Sequence, residues 1–74
     1  MLDNHTLFLA RNEIYARHSR KFDSAELRKY FGSKQWYRGT IEPSAFTDSM
    51  LSDVELANAH LMLDIEKARG SAYI

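Results

Sequence analysis

The stretch Ala10-Arg11-Asn12-Glu13-Ile14-Tyr15-Ala16-Arg17-His18-Ser19 constrains this chain more than any other. It is dense with helix formers, yet two ionisable side chains fall where a helix should be apolar. On a helix advancing about 100° per residue, Leu7, Ala10, Ile14 and Tyr15 share one side, with Phe8 at its edge. Arg11 and His18 fall near the middle of that same side. Leu9, Asn12, Glu13 and Ala16 point roughly the other way, and Arg17 lies at the flank. An arginine on a core-facing stripe keeps its charge, so it must find acceptors or reach water along its own stem. The expectation is a polar network of Arg11 and His18 with Glu55, Asn58 and helix-end carbonyls that fixes how the helices meet. The competing reading is an anion site, because guanidinium forks suit carboxylates and phosphates.

The rest of the chain supports one small all-α domain of three helices. Seventy-four residues bury only about 60% of the surface that the unfolded chain exposes, so stability is marginal. No cysteine is available to staple the fold, and no Cys/His cluster suggests a structural metal. Ten basic residues balance ten acidic ones, which removes the usual electrostatic footprint of a nucleic-acid or acidic-membrane binder. No apolar run approaches the roughly 20 residues of a membrane span. Met1-Leu2-Asp3-Asn4 lacks the basic start and apolar core of a signal peptide.

Asp3 is the expected N-cap of the first helix, with Leu2 just outside it, and that helix should end near Arg17 or His18. Phe22 is the expected anchor of the following connection. Asp23-Ser24-Ala25-Glu26 reads as a helix start, Leu27, Tyr30 and Phe31 as one apolar stripe, and Gly32 as a C-terminal stop. Ser33 to Tyr37 reads as a short turn that drives Trp36 inward. Residues 38–50 form an irregular loop, marked by Gly39 and Pro43 and pinned by Ile41 and Phe46. Ser52-Asp53-Val54-Glu55 is a capping box opening a helix to about Arg69, stopped by Gly70. Its expected inner stripe is Val54, Ala57, Leu61, Ile65 and Ala68, with Asn58 and Met62 at one edge. Leu56 and Leu63 fall on the far side, so the helix either packs on two faces or exposes a patch.

These residues together resemble the YARHG domain, a small bacterial module. The resemblance rests on the run Ala10 to His18, then Phe22, Leu27, Tyr30-Phe31 and Trp36-Tyr37, and continues through Leu51, Glu55 and Asn58. One departure falls in the signature, where the family has glycine after the histidine and this chain has Ser19. If that position needs positive φ to close the helix, Ser19 carries strain that glycine avoids. The resemblance brings no established catalytic activity. It implies an extracytoplasmic accessory module, residues 1–74, cut from a larger protein. Its relatives occur attached to peptidase-like and kinase-like proteins and lipoproteins.

Asn12, Glu13, Arg17, Tyr37 and Arg38 are the candidate recognition surface. Against it stands plain solvation, with Glu13 and Arg17 pairing at i, i+4 for about 0.3–0.5 kcal/mol. The aromatics Tyr15, Phe22, Tyr30, Phe31 and Trp36 read as core rather than a stacking platform, and Tyr37 as the most exposed of the set. His5, His18 and His60 have no metal-ligand spacing and no nucleophile partner. No catalytic, cofactor-binding or metal-binding residue is therefore assigned, and the chain is not expected to be an enzyme. The leading expectation is an interaction module for a cell-wall component, a peptide or a neighbouring domain, with no nucleic acid and no membrane insertion. One alternative is a docking or spacer domain using the Leu56/Leu63 side of the last helix. Another is weak nucleic-acid binding through the basic residues between Arg20 and Arg38.

Overall fold

The computed structural model describes residues 3–74. Leu2, read above as the residue outside the first cap, lies outside that range. The chain is all-α, with helices α1 (Asn4–Ala16), α2 (Ala25–Gly32) and α3 (Asp53–Ala68). Two 3₁₀ turns, Pro43–Ala45 and Asp48–Met50, order the long connection before α3. Among the described residues no helix is long and apolar enough to cross a membrane.

Local capping chemistry sets where each helix begins. The Asp3 carboxylate accepts from the Thr6 amide at 2.7 Å. Ser24 caps α2 by accepting from the Leu27 amide. The Ser52/Glu55 box opens α3 as the sequence requires: Ser52 Oγ accepts from the Glu55 amide, and Glu55 Oε1 accepts from the Ser52 amide. Gly32 ends α2 without left-handed backbone; Ser33 closes it by donating its hydroxyl to the Tyr30 carbonyl.

The apolar core lies between α1 and α2. Phe8, Ala16, Phe22, Leu27 and Phe31 form one cluster, and Phe31 is fully buried. Phe22 stacks on Phe31 at 5.2 Å, so it anchors the α1–α2 connection as expected. Trp36 is only half-buried. It meets Phe31 edge-on at 6.1 Å, and the Arg17 guanidinium covers its ring at 3.7 Å. Ile41 and Phe46 are both half-buried, and Phe46 packs edge-on against Tyr15.

Two expectations about helix faces are corrected. On α1, Asn12 and Ala16 are buried with Leu7 and Phe8, because α1 is covered on two sides, by α2 and by α3. On α3 the expected inner stripe faces solvent: Val54 is 70% exposed and Leu61 59%. The face turned to α1 is Glu55, Leu56, Ala59, Met62, Leu63 and Glu66, with Ala59 and Glu66 fully buried. Leu56 and Leu63 are therefore half-buried on the side turned to α1 and pack within the domain instead of forming an exposed patch.

The end of α1 explains the serine in the signature. Ser19 adopts φ 68°, the left-handed region that costs an L-residue about 1–2 kcal/mol. Its amide bonds the Ala16 carbonyl, and the Arg20 amide bonds the Tyr15 carbonyl, closing the helix as a Schellman motif. Gly70 does the same for α3 at φ 65°, with Ser71 bonding the Glu66 carbonyl. The Ser19 turn aims its carbonyl at the Thr40 and Ile41 amides, both at 2.9 Å, and sets Arg20 beside Ile41. We predict that Ser19→Gly stabilises the domain by about 0.5 kcal/mol in urea denaturation, the relief of strain exceeding the added freedom of the unfolded chain. A loss of stability would contradict this account of the turn.

Candidate functional site

The signature residues meet α3 along an antiparallel seam with three polar rungs. At one end Arg69 Nη1 donates to Asn4 Oδ1 at 3.4 Å. In the middle Arg11 Nε donates to Glu66 Oε2 at 2.5 Å, and Nη2 reaches Oε1 at 3.5 Å. At the other end His18 Nε2 lies 2.9 Å from both oxygens of Glu55. The α1-side residues, Asn4, Arg11 and His18, are spaced seven apart, which returns to one stripe every two turns.

Burial ranks the rungs. The Glu66 side chain is fully buried and that of Arg11 is 15% exposed, whereas His18 and Glu55 are each about one-third exposed. The central pair is thus largely removed from water, where a charge without its partner is costly. No buried side-chain oxygen or nitrogen lacks a partner among the described residues. Glu55 serves twice, in the α3 capping box and opposite His18. The Ser52 amide, and then His18, hold its carboxyl below the ordinary 4.5.

Of the expected network, the structure brings His18 and Glu55 together, pairs Arg11 with Glu66 instead, and leaves Asn58 exposed in neither pair. Glu66 was missed. Its signal was its spacing from Glu55, eleven residues or three turns away on the same face. The candidate recognition residues are not assembled into one surface. Asn12 is buried, and its Nδ2 donates to the Phe8 carbonyl at 2.9 Å. Glu13 and Arg17 pair at 3.4 Å, as their spacing suggests. Tyr37 is half-buried rather than exposed, and its hydroxyl donates to the Arg20 carbonyl at 2.7 Å. Gly39 allows this, since a Cβ there would lie 2.5 Å from the Tyr37 hydroxyl. Arg38 bonds the Gln35 and Tyr37 carbonyls.

The basic residues between Arg20 and Arg38 are mostly engaged locally. Lys21 pairs with Glu42 at 2.9 Å, Arg28 donates to the Asp23 carbonyl, and Lys34 sits 4.4 Å over Tyr30.

One cleft borders the signature helix, and a second lies between the α1–α2 connection and residues 37–43. The more polar one, about 290 Å³, lies between α1 and the 3₁₀ turns and is lined by Arg11, Tyr15, Arg20, Phe46 and Asp48 among others. Arg20 is half-buried and Asp48 exposed, and the Arg20 guanidinium lies 5.8 Å from the Tyr15 ring centre. Burial, and then Asp48, raises the Tyr15 hydroxyl above its ordinary 10.0, so this phenol stays a neutral donor. The second cleft, about 430 Å³, is bordered by Lys21, Phe22, Arg28, Tyr37, Glu42 and Pro43.

Comparison with known proteins adds one finding. A family model for the YARHG domain matches residues 1–67. No curated protein and no solved structure matches the chain.

Removing either member of the central pair strands the other in the seam. Arg11→Ala and Glu66→Ala should each cost about 3–5 kcal/mol, most of what a domain this size possesses. A folded Arg11→Ala variant with unchanged melting would favour the anion-site reading. Glu55 supplies a pH signature. Its folded pKa is lowered, so its stabilisation is present above the ordinary 4.5 and lost as pH falls through the folded value. The melting temperature of Glu55→Gln should therefore fall less steeply on acidification than that of the parent chain; parallel curves would contradict the assignment.

Proposed function

Because the chain belongs to the YARHG domain family, we propose that it is a non-catalytic interaction module of a bacterial cell-envelope or extracellular protein. The family resemblance supports the compartment. The reading of the signature rests on what its polar side chains do. Arg11, Asn12 and His18 are each bound to an internal partner, so the signature holds the fold together. Binding then falls to the cleft beside it, where Arg20, Tyr15 and Asp48 reach one opening with Phe46 as an apolar wall. A cation, a neutral phenol donor and a carboxylate around one opening suit a zwitterionic peptide, with its carboxylate on Arg20 and its amine at Asp48. Stem peptides of the cell wall have this chemistry.

A second reading, a docking domain for a neighbouring module, is favoured by the apolar residues that α3 turns to solvent.

Binding to purified peptidoglycan sacculi, and to a free muramyl peptide by nuclear magnetic resonance titration, tests the first reading. Arg20→Ala should weaken binding about tenfold or more, the loss of one charge-assisted bond, without unfolding the domain. Undiminished binding by that variant, or none by the parent chain, would remove the cleft from consideration.

A further inference from the structure

The exposed face of α3 has a pattern that solubility does not require. Val54, Ala57, Leu61, Ile65 and Ala68 form a continuous apolar stripe, all exposed except the half-buried Ile65. The stripe is symmetric about Leu61, with members four and seven residues to either side. We infer that this face is a self-association surface, on which a second copy of the chain packs its own α3 antiparallel about a two-fold axis at Leu61. The inference is independent of the peptide-binding cleft.

Two observations select a second copy in this orientation, and a third bounds its affinity. First, size alternates to match. Antiparallel pairing sets Val54 against Ala68, Ala57 against Ile65 and Leu61 against itself, so large side chains meet small ones at four of five positions. Parallel pairing would set every residue against its own kind.

Second, charge alternates to match. One flank of the stripe carries Asp53, His60, Asp64 and Lys67, all exposed and none with a side-chain bond among the described residues. A two-fold axis across the helices keeps this flank facing its own equivalent, reversed. Asp53 then approaches the partner's Lys67, and His60 approaches the partner's Asp64, each offset by two residues, or about 3 Å.

Third, the area available predicts a weak dimer. A 16-residue helix spans about 24 Å, and one face of it covers far less than the roughly 800 Å² per partner of a standard stable interface. Association is therefore expected at several hundred micromolar or in a tethered or surface-crowded parent, and dissociation on dilution.

The chain has no cysteine, so single cysteines report the geometry cleanly. Leu61→Cys places two thiols at the axis and should form a disulfide-linked dimer under mild oxidation at high protein concentration. Val54→Cys alone should not, because residue 54 and its equivalent lie about 21 Å apart along the pair. Mixing Val54→Cys with Ala68→Cys should yield the cross-linked heterodimer. In sedimentation equilibrium the parent chain should show a monomer–dimer equilibrium that Leu61→Glu abolishes, with helical content unchanged because the site is exposed. Cross-linking of Val54→Cys with itself would overturn the antiparallel arrangement. A parent chain that stays monomeric at about 1 mM would overturn self-association and leave the face to a different partner.

Discussion

The ion pair between Arg11 and Glu66 is the interaction on which this fold depends. Its carboxylate is fully buried and its guanidinium nearly so, in a domain whose apolar core contains only a handful of side chains. Such a pair adds little net stability over an apolar equivalent, since desolvation offsets most of the attraction. What it supplies is register. An arginine fork donates to a carboxylate in few orientations, and the His18–Glu55 contact further along fixes the same alignment again. Two contacts separated by two turns of α1 leave α3 no freedom to slide or rotate. The apolar contacts between α1 and α2 could tolerate a shift, whereas these polar contacts could not.

That constraint also explains which parts of the structure were legible in the sequence. Helix starts at Asp3 and Ser52 were readable because capping is local chemistry. The inward placement of Arg11 and His18 followed from their angle on α1, and Glu55 from its capping box. The strain at Ser19 followed from a family position usually held by glycine. The phase of α3 was not readable from hydrophobicity, because the helix has two apolar stripes. The stripe with Leu61 and Ile65 is more apolar, yet the one with Glu55 and Glu66 faces inward because α1 presents Arg11 and His18 there. Partner charges across 55 residues of sequence decided the matter, and no local window contains both. Asn12 failed for a related reason: its amide is satisfied one turn back by the Phe8 carbonyl, so a polar residue could be buried without a distant partner.

A signature motif is often taken to mark a ligand site. Here Arg11, Asn12, Ala16 and His18 are turned toward the interior, and the polar ones each have an internal partner. Arg11 and His18 hold α3, Ala16 packs under the aromatic cluster, Arg17 covers Trp36, and Ser19 turns the chain toward residues 40 and 41. The cleft with Arg20 and Asp48 borders the motif through Arg11 and Tyr15, and the outer face of α3 lies away from it.

A double-mutant cycle on Arg11 and Glu66, read by urea denaturation, tests the central claim most directly. With Arg11→Ala, Glu66→Ala and the double variant, the account predicts strong coupling, about 2 kcal/mol or more, because the second removal relieves the charge stranded by the first. Additivity within about 0.5 kcal/mol would show that the two side chains act independently, and the seam would then not be what holds the helices in register.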